Sequence, residues 1–126
     1  MVTTTLSPEM ENAGRDLTLA LDEAGGKVNA ALWLFLSDQN SWRLILASPE
    51  VKTRGPRAVY KKVQRVLSRC PCDGLEVQDI SVIDPDDPLV NRLRAGVRTD
   101  SGPGVRFSRT SINGHFIEDA FIYRVR

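Results

Sequence analysis

The chain runs through two hydrophobic rhythms in turn, one with a helical period and one that alternates. Ser7-Pro8-Glu9 has the order of an N-cap, an N1 proline and a first-turn acid. Met10, Ala13, Leu17, Ala20, Leu21 and Ala24 follow at helical spacing until Gly25-Gly26 stops the run. This predicts a helix with one buried face. Residues 30–36 (Ala-Ala-Leu-Trp-Leu-Phe-Leu) are apolar on both parities, as in a central strand covered on both sides. Polar residues 37–41 supply turn chemistry, and 42–47 form a second strand paired antiparallel to the first. Ser48-Pro49 ends it, because proline cannot donate to the ladder.

Gly55-Pro56 opens a second helix, whose apolar arc is Val59, Val63, Val66, Leu67 and Cys70; Pro71 ends it. Residues 77–83 read as a third strand, and Asp84 to Pro88 offers two cap-plus-proline starts for a short helix over 89–95. Asn113-Gly114 between alternating segments is a hairpin signal, and a two-residue turn there fixes the register. Ile112 then faces His115, Thr110 faces Ile117, and Phe107 faces Ala120. On that register Val105, Phe107, Phe116, Ala120 and Ile122 share the core side, and Arg109 and Glu118 form a cross-strand ion pair. The other side is mixed, with Arg106, Ser108, Thr110, His115, Ile117, Asp119, Phe121 and Tyr123. The expected architecture is one α+β domain over residues 1–126, in the order α-β-β-α-β-α-β-β. About five strands form an antiparallel or mixed sheet carrying two longer helices and a short one, with residues 1–6 frayed.

Apolar content of 41% and charged content of 26% fit a folded domain rather than a disordered chain, and 126 residues suffice for a sizeable core. Residues 1–6 have neither a basic segment nor a long apolar run, so no signal peptide is expected. The longest apolar stretch falls far short of the ~20 residues of a membrane helix, so no membrane partner is expected. The only two cysteines, Cys70 and Cys72, are too close to close a useful loop, which suggests a reducing, cytoplasmic setting.

Net charge is +1, so no global field draws the molecule to polyanions. The charge is nevertheless segregated. Lys52, Arg54, Arg57, Lys61, Lys62, Arg65 and Arg69 follow one another without an acid, whereas 73–87 carries six acids and no base. Arg57, Lys61, Arg65 and Arg69 recur at i, i+4, so a helix sets them in one stripe where neighbours repel by a few tenths of a kcal/mol per pair. A stripe tolerated at that cost points to an anionic partner; the alternative is a solvated face neutralised by the acids of 73–87. Apart from Tyr60 the helix interleaves no aromatic residue, so base stacking is not expected.

Chemistry-bearing patterns are sparse. His115 is the only histidine, and with Arg106 and Tyr123 it offers a proton-transfer group, a phosphate-stabilising cation and an orienting hydroxyl. Their spacing argues against convergence, since eight residues separate His115 from Tyr123, ~26 Å along an extended strand. Glu50-Val51-Lys52 has an acid-x-Lys form, but Asp38 lies at the far end of the strand, ~25 Å away. Cys70 and Cys72 lack both the spacing and the companions of a zinc site. Gly102-Pro103-Gly104 lacks the lysine and helix of a phosphate loop. No metal and no cofactor is expected.

The sequence therefore favours a non-catalytic binding protein whose helix 56–69 docks an anionic partner, nucleic acid or an acidic protein surface. Arg54, Arg57, Lys61, Lys62, Arg65 and Arg69 are the contact residues. The acidic stretch adds homo-oligomer formation through the same stripe as a further expectation. The rival is a small metal-independent ribonuclease-like phosphodiesterase with His115, Arg106 and Tyr123 on the last hairpin.

Overall fold

The computed structural model describes residues 5–69, 75–97, 104–112 and 114–126. The expected α+β architecture is present: α1 (Pro8–Glu23), β1 (Ala30–Leu36), β2 (Ser41–Ala47), α2 (Glu50–Arg54), α3 (Pro56–Arg69), β3 (Ile80–Ile83), α4 (Pro88–Gly96), β4 (Val105–Ile112) and β5 (His115–Val125). The five strands form one mixed sheet in the order β3-β2-β1-β5-β4. β1 pairs antiparallel with β2 and β5, and β4 pairs antiparallel with β5. β3 runs parallel to β2, which the connection through α3 permits.

β1 is central, and its two parities serve two cores, as its double-sided apolarity requires. Ala31 and Trp33 point to the face covered by α1 and α3, where they meet Leu17 and Leu21 of α1, Val59, Val63 and Val66 of α3, and Leu44 and Leu46 of β2. Leu32 points to the opposite face, where α4 packs through Leu93 against Ile45 and Ile122. Ser7 caps α1 by accepting from the Met10 amide at 3.2 Å, and Asp87 caps α4 by accepting from Leu89 at 3.0 Å.

Several local expectations need correction. The third strand is shorter than 77–83, because Val77–Asp79 is a 3-10 turn closed by a capping box between Glu76 and Asp79. The five-residue α2 was not expected at all. Leu6, placed in the fraying stretch 1–6, is only 5% exposed and belongs to the α1-side core. The C-terminal hairpin keeps its expected register, Ile112 opposite His115 and Thr110 opposite Ile117, but not its expected faces. Ile117 is 3% exposed in the α4-side core, whereas Phe116 is 59% exposed. Arg109 explains the reversal: its φ of 48° is left-handed, and the alternation of sides changes across it. The same kink leaves Arg109 and Glu118 without the expected ion pair; among the described residues the cross-strand pair is Arg106 with Asp119. Expectations about Cys70, Cys72, Asp73, Gly102, Pro103 and Asn113 lie outside the described residues. Among those described, no helix is long and apolar enough to cross a membrane.

Candidate functional site

Helix α3 separates its two kinds of residue cleanly. Val59, Val63 and Val66 are buried, and the Tyr60 hydroxyl accepts from the Val82 amide at 3.1 Å, pinning the helix to the edge strand β3. Arg57, Lys61, Arg65 and Arg69 lie opposite and are all exposed. Arg57 and Arg69 are twelve steps apart, ~18 Å of helix at 1.5 Å per residue. Among the described residues none of the four takes part in an ion pair. The first turn of α3 holds no acid, so Arg57 stands at the positive end of the helix dipole and adds to its field.

The acids that follow are occupied elsewhere. Asp79 and Glu76 cap the 3-10 turn, Asp84 accepts from the Asp86 amide at 2.8 Å, and Asp87 caps α4. Asp86 meets Lys52 at 3.6 Å, and both side chains are largely exposed. These carboxylates bind backbone amides and one flanking lysine. Among the described residues none of them forms an ion pair with the stripe.

Arg54 and Lys62 stand apart from the row. Lys62 is tied to Glu50 by contacts of 2.9 and 3.0 Å and is three-quarters buried. Arg54 ends α2 and is exposed. Together with Lys27, from the segment after α1, they border a cleft of about 350 Å³ whose wall includes Glu50 and Gly25. Sequence reasoning passed over Lys27. It is a single lysine outside any charged run, and only the approach of α1's end to α2 and α3 brings it in. Comparison with protein-family models, with curated proteins and with solved structures finds no match. What the site can do therefore rests on its own geometry.

The residues of the phosphodiesterase reading are not brought together. Arg106 lies on the α1 side of the sheet, bound to Asp119 at 2.6 and 2.7 Å and stacked 5.1 Å from the centre of the Trp42 ring. The Arg106 hydrogen bond, helped by one from Ser108, holds the Asp119 carboxyl below its usual range against the opposing effect of partial desolvation. Tyr123 faces the same side but is buried, and its hydroxyl donates to the Glu11 carbonyl at 2.5 Å. Burial pushes its phenol well above the ordinary value, so it is poorly placed to release a proton. His115, beyond the kink at Arg109, shares the α4 side with Ile112 and Ile117 and lies 3.4 Å from Arg92. Acid–base help at a phosphate needs groups within about 3 Å of the same reacting atoms. The sheet itself stands between His115 and the other two.

Proposed function

We propose that this protein is a non-catalytic binding module whose α3 docks an anionic partner, a nucleic acid backbone or an acidic protein surface. The observation that carries the reading is the row Arg57, Lys61, Arg65 and Arg69, four exposed cations in line without an ion pair among the described residues. Repulsion along the row is unfavourable to the isolated helix, so it contributes nothing to folding that would account for it. An anion set against it relieves that repulsion, and for nucleic acid each contact also releases a condensed counterion. Arg54 and Lys62 extend the positive surface towards α2. The acidic turn 84–87 of a second copy is one acidic protein surface the row can meet, and a salt-dependent change in mass by light scattering reads that case.

The test is the triple variant Arg57→Gln/Lys61→Gln/Arg65→Gln, in which exposed side chains change and the apolar face of α3 does not. Its melting temperature should equal or slightly exceed that of the wild type, because like-charge pairs are removed. Binding to random-sequence RNA or DNA, or to a poly-glutamate chain, should weaken by roughly an order of magnitude or more at low salt. Unchanged affinity for the polyanion that the wild type binds would reject α3 as the docking face.

A further inference from the structure

The cleft beside α3 differs from the open stripe in shape and charge. Lys27, Arg54 and Lys62 reach it from three separate segments, and Glu50 is the single acid in its wall. Three cations against one carboxylate leave two positive charges. Lys62 is held in the wall by its two contacts to Glu50, and among the described residues Lys27 and Arg54 have no ion-pair partner. The C-terminal end of α1 borders the cleft at Gly25 and brings only about half a negative charge, well below the two-charge excess. Gly25 contributes no side chain there; a Cβ built on it meets nothing within 4 Å, so this wall stays open.

From this arrangement we propose that the cleft is a phosphomonoester site that seats the phosphorylated end of a nucleic acid strand. The proposal rests on the reading of α3 given above. An end phosphate carries a charge of about −1.5 to −2 at neutral pH, against −1 for each internal phosphodiester, and so matches the two-charge excess of the cleft. The volume of about 350 Å³ lies within the range of small-ligand sites and admits a phosphate with its attached sugar. Lys62 directly follows Lys61 and precedes Arg65 by three residues on α3, so the cleft opens beside the stripe. A strand whose end is held by Lys27 and Arg54 then continues over Lys61 and Arg65, which take its internal phosphates. An acidic peptide offers singly charged carboxylates and no such doubly charged end.

The experiment measures fluorescence anisotropy of short single-stranded DNA bearing a 5′-phosphate, a 3′-phosphate or hydroxyls at both ends. It compares wild type with Lys27→Gln/Arg54→Gln and with Arg57→Gln/Lys61→Gln/Arg65→Gln, after thermal melts show all three folded. One phosphorylated end should bind the wild type about tenfold tighter than the hydroxyl strand, the scale of one charge-assisted contact. That preference should vanish in the Lys27/Arg54 variant. In the stripe variant all strands should bind more weakly with the preference retained. Equal wild-type affinity for all ends, with binding still lost in the stripe variant, would overturn the cleft and leave α3 standing. A preference that survives Lys27→Gln/Arg54→Gln would also overturn it. Failure of every strand to bind would overturn both the cleft and the nucleic-acid form of the α3 reading.

Discussion

Gly14 shows how much of the α1 contact depends on one missing methyl group. Its position on α1 lies against two aromatic side chains that grip the helix backbone: Trp33 Nε1 donates to the Met10 carbonyl at 3.1 Å and Tyr123 Oη donates to that of Glu11. A Cβ at residue 14 would lie 2.5 Å from Tyr123 Oη and 2.7 Å from Trp33 Nε1. Both rings are held by hydrogen bonds and packing, so they cannot retreat without losing those contacts. Gly14→Val should therefore destabilise the fold by about 2 kcal/mol, overpacking outweighing the modest gain in helix propensity. A urea melt checks this, and an unchanged midpoint would refute it. The sequence does show Gly14 on the arc of α1 next to Ala13 and Leu17, but the rings it must clear come from β1 and β5. Long-range contacts of this kind have no local signal. The same holds for Arg124, which is 2% exposed and bound to Asp22 of α1 at 2.7 and 2.9 Å. In sequence it is one arginine near the end of a strand.

At the scale of elements, strong periodicity and cap chemistry were readable. Residues 30–36 have the bounds expected of them and α3 opens at Pro56 as expected, because proline and turn residues punctuate the chain there. The elements that escaped are shorter than a hydrophobic period. Helix α2 has five residues, none buried, and the 3-10 turn at Val77–Asp79 rests on reciprocal side-chain caps rather than on apolar spacing. The faces of the last hairpin failed for a different reason. Strict alternation assumes extended backbone throughout, and Arg109 departs from it at φ 48°. Left-handed geometry is unfavourable for a residue with a Cβ by roughly 1–2 kcal/mol and is open to glycine. If the kink is set by the rest of the sheet, Arg109→Gly should stabilise the protein by about 1 kcal/mol, after allowing for the greater freedom glycine gives the unfolded chain. Arg109→Val should lower stability, because a β-branched residue tolerates that φ least. Paired thermal melts of the two variants read the sign. A Gly variant no more stable than the wild type would show that Arg109 is not strained.

For the molecule as a whole, the division of charge was legible in the sequence but its meaning was not. The described acids of the acidic run bind amides at the 3-10 turn, the turn before α4 and the α4 cap, and meet the basic run in an ion pair at Lys52. The row on α3 is left facing outward. The cleft was beyond the reach of sequence reasoning, because Lys27 joins Arg54 and Lys62 only through the packing of α1, α2 and α3. The central claim is that the α3 cations meet an anionic partner, and its most direct test is the salt dependence of binding. For single-stranded DNA, log K should fall linearly with log salt, by about 0.7 per phosphate neutralised. Four engaged cations predict a slope of about −3, and the triple variant Arg57→Gln/Lys61→Gln/Arg65→Gln should flatten it by about 2. For poly-glutamate the same variant should reduce the salt-sensitive part of binding by a similar share, since Arg69 remains. Superimposable slopes for wild type and variant, or no wild-type binding to either polyanion at low salt, would contradict the account.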